Sequence, residues 1–103
     1  MSSVSQIQFN YRQALAQAEK LEGVATDMSR VAKTDMENSM RTLSNGWKGN
    51  NANAFIAKET RVQGNVSELA KTIRNIASDI RRVAWTIYQA EMEAVRIAQE
   101  RKS

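Results

Sequence analysis

The sequence predicts an all-α fold: two long helices folded into an antiparallel hairpin, with two hairpins dimerising into a four-helix bundle. Three observations lead there. The 103 residues contain no proline. The only strong helix-breaking stretch, Ser44-Asn45-Gly46-Trp47-Lys48-Gly49-Asn50-Asn51, lies at the midpoint. On both sides of it, apolar residues recur at helical spacing. So short a connection returns the second helix antiparallel to the first. The expected bounds are a helix over 5–44, a turn over 45–50, a helix over 51–99 and a frayed tail over 100–103, all in one domain spanning 1–103.

The first helix is expected to start at Ser5. With Gln8 three residues on, Ser5 fits a capping box, and Val4 and Phe9 occupy the positions of a hydrophobic staple. An apolar stripe follows through Ile7, Tyr11, Ala14, Ala18, Leu21, Ala25, Met28, Val31 or Ala32, Met36, Met40 and Leu43. It is rich in alanine and methionine, which suits close and adaptable packing; the methionines are read as core. Gly23 weakens the helix by roughly 1 kcal/mol relative to alanine. Asn45-Gly46 supplies the usual C-terminal stop. Asn50 or Asn51 is a natural cap for the second helix. Gly49 is read as a backbone requirement, for either a positive φ or a close approach.

The second helix carries the cleaner pattern. Val62, Val66, Leu69, Ile73, Ile76, Ile80, Val83, Ile87, Ala90, Ala94 and Ile97 alternate at spacings of four and three, a heptad seam sustained for about five heptads. Ala52 and Phe55 keep its phase, and Glu59 breaks it once. A second row, Trp85, Tyr88, Met92 and Val95, lies on another face. Folding the chain about residue 47 or 48 brings Phe9 and Tyr11 opposite Trp85 and Tyr88. Two apolar rows on one helix matter because one can pack within the chain, while the other must meet a second chain or remain exposed. The residues expected in the shared hairpin and dimer core are therefore Tyr11, Leu21, Met28, Val62, Val66, Leu69, Ile73, Ile76, Ile80, Val83 and Ile87.

Composition points the same way. A chain this small buries a low fraction of its surface and needs added support. It has no cysteine for disulfides. With no histidine either, a structural zinc or iron site is not expected, and neither is a cofactor. Association is the remaining route to stability. The net charge of +4 is spread thinly, with six bases against five acids up to residue 50 and nine against six beyond. Arg81, Arg82, Arg96, Arg101 and Lys102 are read mainly as solvated surface. Without clustered bases or interleaved aromatics, nucleic-acid binding is not expected. No apolar run approaches the ~20 residues that span a bilayer, so no stable membrane insertion is expected. Met1 to Gln6 lacks the basic-then-apolar pattern of a signal peptide. Catalysis finds no support: there is no histidine base, no cysteine nucleophile, no glycine-rich phosphate loop, and the carboxylates are scattered.

A chain of about a hundred residues, read as two helices with Trp47-x-Gly49 at the bend, resembles the WXG superfamily, the small ESAT-like proteins of bacterial type VII secretion systems. The resemblance covers the whole chain by architecture and a few residues by motif. It implies a helical-hairpin dimer, homodimer favoured, with a heterodimer with a related WXG or LXG-type protein as the other form. It also implies signal-peptide-independent export of the folded protein by a membrane ATPase, so the chain would be secreted, or cytoplasmic before export. The family's export signal is Tyr-x-x-x-Asp/Glu late in the second helix. Here Tyr88 is followed four residues later by Met92, and the nearest acid sharing its face is Glu91. The secretion-recognition residues carried over are therefore Trp47, Gly49, Tyr88 and Glu91, with Trp47 either a simple turn residue or part of a composite surface with the other protomer's second-helix tail. The alternative role is an adaptor that pairs with the helical N-terminal domain of a larger secreted toxin; the basic balance would suit an acidic helical partner.

Overall fold

A computed structural model describes residues 3–46 and 49–102. The protein is all-α: helix α1 spans Val4–Gly46 and helix α2 spans Asn50–Lys102. Both helices extend past the expected bounds. The tail expected to fray after residue 99 is helical through Lys102, where Arg101 and Lys102 complement the negative C-terminal end of the helix dipole.

The α1 cap falls two residues earlier than Ser5. Ser3 Oγ accepts the Gln6 N–H at 3.1 Å, and Ser3 O accepts the Ile7 N–H at 3.0 Å. Ser3-Val4-Ser5-Gln6 has capping-box spacing, but the Gln6 amide donates forward to Asn10 Oδ1 at 2.9 Å. Val4 and Phe9, the expected staple, both stay exposed. Inside the helices, Thr42, Thr72 and Thr86 each donate to the carbonyl four residues back, so their hydroxyls share an acceptor with the helical ladder.

The chain divides into two compact units, each pairing a segment of α1 with an antiparallel segment of α2. Unit 1 comprises residues 1–22 and 75–103, and unit 2 comprises residues 23–74. The residue types at the helix contacts are alike in both. In unit 1 Ala18 and Ala77 are fully buried, and in unit 2 Ala25 and Ala70 are. Alanine there lets helix axes approach at the close end of the usual 8–10 Å. Ile7 is the one large side chain fully buried among the described residues, with Leu43 and Ala52 also in the core.

The expected α2 seam is only half used within the chain. Val66, Ile73 and Ile80 are half-buried, as are Tyr11, Leu21 and Met28 of α1. Val62, Leu69, Ile76, Val83 and Ile87 remain 46–52% exposed. They do not belong to the hairpin core. Alanines one position further along, Ala70 and Ala77, take that place with half-buried Ala84 continuing the spacing. Of the methionines read as core, Met28 and Met36 are half-buried and Met40 is exposed.

Candidate functional site

Trp47 and Lys48 lie outside the described residues, so the motif is represented by Gly49. This residue has φ of 81°, the left-handed conformation that an L side chain rarely adopts. A Cβ built on it would meet nothing within 4 Å. The requirement for glycine is therefore conformational and not one of close approach. Gly49 also stands at the cap position of α2, its carbonyl accepting the Asn53 N–H at 3.2 Å. The cap thus falls one residue before Asn50, and Asn50 is the first helical residue.

Tyr88 and Glu91 belong to unit 1 and lie on α2 against the start of α1. The Tyr88 ring stacks on Tyr11 with centroids 4.9 Å apart, and on Trp85 at 5.6 Å. Tyr11 and Trp85 meet at 5.8 Å. Helix spacing explains the arrangement: Trp85 and Tyr88, three apart, share a face of α2, and the antiparallel α1 brings Tyr11 against both. Phe9, expected in this cluster, is instead 48% exposed. Positions 9 and 11 are about 200° apart around a helix, so only one of the two can face α2. Glu91 and Tyr88 are both half-buried and line one recess of about 180 Å³ with Ile7, Asn10 and Tyr11. The structure therefore brings Tyr88 and Glu91 together, but commits the tyrosine ring to the contact between the helices.

Next to this cluster is an ion pair with no clear signal in the sequence. Arg81, read as solvated surface, is half-buried and binds Glu22 of α1. The hydrogen bond from Arg81 to Glu22 raises the Arg81 pKa, with smaller help from the charges of Glu22 and Glu19 and from Tyr11. Glu22 and Arg81 are far apart in sequence, and only the hairpin register joins them. Asp27 with Arg30, Asp79 with Arg82, and Arg96 with its two glutamates are ion pairs local to one helix. Arg96 bonds Glu93, with one contact at 3.0 Å, and also reaches Glu100. The Arg96 hydrogen bond holds the Glu93 carboxyl below its ordinary 4.5.

Unit 2 holds a feature that the periodicity did not single out. An open groove of about 470 Å³ runs between α1 and α2, with Met28 and Val66 at its base and Val24, Val31 and Val62 at its sides. Asp27, Asp35 and Glu59 line it as well. Glu59, the residue that interrupts the α2 heptad, is half-buried here.

Among the described residues no group of three or more histidine, cysteine, aspartate or glutamate side chains is placed to hold a metal ion. No helix there is long and apolar enough to cross a membrane. The fold defines the chain as a two-helix antiparallel hairpin. Compared with known proteins, it matches no family model, no curated protein and no solved structure.

Proposed function

We propose that the chain is a small non-enzymatic WXG-type protein, exported by or associated with a bacterial type VII secretion system. It works as a folded dimer recognised by the secretion ATPase. One observation carries this: the Trp47-Lys48-Gly49 triplet stands between two long helices, and its glycine holds the positive φ that begins the second. The exposed apolar residues of α2 add support, since Leu69, Ile76 and Val83 recur every seven residues and are left for a second chain. Recognition would use Trp47, Gly49, Tyr88 and Glu91, and export would need no N-terminal signal peptide. The test is to express the chain in a bacterium with such a system and measure it in the medium with and without the ATPase. Trp47→Ala should abolish ATPase-dependent release while circular dichroism and dimer mass stay unchanged. Unchanged release of the variant would defeat the recognition role of Trp47.

A specific observation favours a second role. Tyr88 is stacked against Tyr11 and Trp85, and the acid four residues on is missing. A chain that does not display its own signal would rely on a partner's, as an adaptor for the helical N-terminal domain of a larger secreted toxin does. Coexpression with such a domain should then yield a stable heterodimer at the expense of self-association. A homodimer that ignores the domain would remove this role.

A further inference from the structure

We propose that the groove of unit 2 receives a basic amphipathic helix from a different chain. The proposal rests on the reading of this protein as an association module and names the chemistry of the partner face.

The shape indicates a helix. The α1 residues along the groove run from Val24 to Asp35, eleven positions, or about 16 Å at 1.5 Å per residue. Val24, Met28, Val31 and Asp35 are spaced four, three and four, the stripe that three turns of a neighbouring helix would follow. An elongated apolar trough between two helices is how helix-in-groove recognition is built, with anchors at i, i+3 or i+4, and i+7.

The charge indicates which helix. Three carboxylates and no basic side chain among the described residues line the groove. Asp27 is already paired along α1 with Arg30 at 3.0 Å. Asp35 and Glu59 make no ion pair or hydrogen bond among the described residues. On a chain of net charge +4, this is a local acidic surface around an apolar floor. Pairing the groove with its own copy about a two-fold axis would set the unpaired acids Asp35 and Glu59 of the two copies against each other. Like charges brought together at an interface disfavour that partner. The fitting occupant presents apolar residues at heptad spacing flanked by lysine or arginine. That is the opposite sign from the acidic partner suggested by net charge alone.

The experiment titrates the full chain with a synthetic three-heptad peptide carrying leucine at the inward positions and lysine beside them, and with its glutamate counterpart. Binding is followed by fluorescence anisotropy, and chain mass by sedimentation equilibrium. The lysine peptide should bind about tenfold or more tighter than the glutamate peptide, and less tightly as salt rises. The Asp35→Asn/Glu59→Gln variant, which keeps shape and removes charge, should lose that preference, and Asp35→Lys/Glu59→Lys should reverse it. Equal binding of the two peptides, or a preference unchanged in a helical neutral variant, overturns the proposal. So does sedimentation showing that the neutral variant alters self-association, which would place a second copy in the groove. None of these readouts involves secretion, so their failure and the failure of the export role are separable.

Discussion

Gly49 and Gly23 show how one residue type serves opposite ends. Gly49 sits at φ 81°, where a side chain is strained whatever space surrounds it. Gly23 lies inside α1 with open space at its Cβ position and no unusual backbone. Gly49→Ala should therefore destabilise the fold by ~1–2 kcal/mol. Gly23→Ala should stabilise it by roughly 1 kcal/mol, by raising helix propensity and restricting the unfolded chain. Thermal unfolding followed by circular dichroism would read both, and equal shifts in one direction would contradict this account. The sequence left Gly49 with two explanations, positive φ or close approach, and the backbone settled on the first. Which serine caps α1 was less legible. Ser3 and Ser5 both precede a glutamine at capping spacing, and the choice turns on where the helical hydrogen bonds begin.

At the scale of the element, periodicity marked the apolar positions of α2 but left open which of them the hairpin itself buries. Counting large apolar residues selects the whole seam from Val62 to Ile97, of which Val66, Ile73 and Ile80 are half-buried while Val62, Leu69, Ile76 and Val83 stay exposed. The side chains that are fully buried are mainly small ones, Ala18 and Ala77 in unit 1 and Ala25 and Ala70 in unit 2. Close approach buries backbone and neighbouring stems, a gain that a side-chain hydrophobicity count does not register. Ala77→Leu would force bulk into that contact and should cost roughly 1–3 kcal/mol of stability by denaturant unfolding. The exposed Ile76→Leu should cost almost nothing by the same measurement. The end of α2 carries one acid-sensitive ion pair. Folded Glu93 titrates below its ordinary 4.5 because Arg96 binds its charged form. Its contribution is complete above that pH and is lost as pH falls through the depressed value. Amide exchange over residues 93–102 should quicken below pH 4.5 relative to higher pH after correction for intrinsic rates. Glu93→Gln should remove the difference.

At the scale of the whole molecule, the balance of buried and exposed surface is the main fact. The buried apolar core of the described residues consists of five alanines with Ile7 and Leu43, while large aliphatics such as Leu69, Ile76 and Ile87 face outward. Small domains with so little core are stable only with added support. Sedimentation equilibrium over a dilution series, with circular dichroism on the same samples, should show helix content falling where the assembly dissociates. Leu69→Ser/Ile76→Ser should shift that dissociation to higher concentration. Full helicity in a dilute monomer would mean the hairpin stands alone. The sequence by itself determined the helical class, the division into two helices and the presence of two apolar rows on α2, because proline absence, glycine placement and periodicity are local properties of the chain. Only the tertiary structure decided which row the hairpin uses, that Arg81 meets Glu22, that Tyr88 stacks on Tyr11, and that Asp35 and Glu59 share an apolar groove. Each of those depends on the register of α1 against α2, which is set by the fit of side chains far apart in sequence.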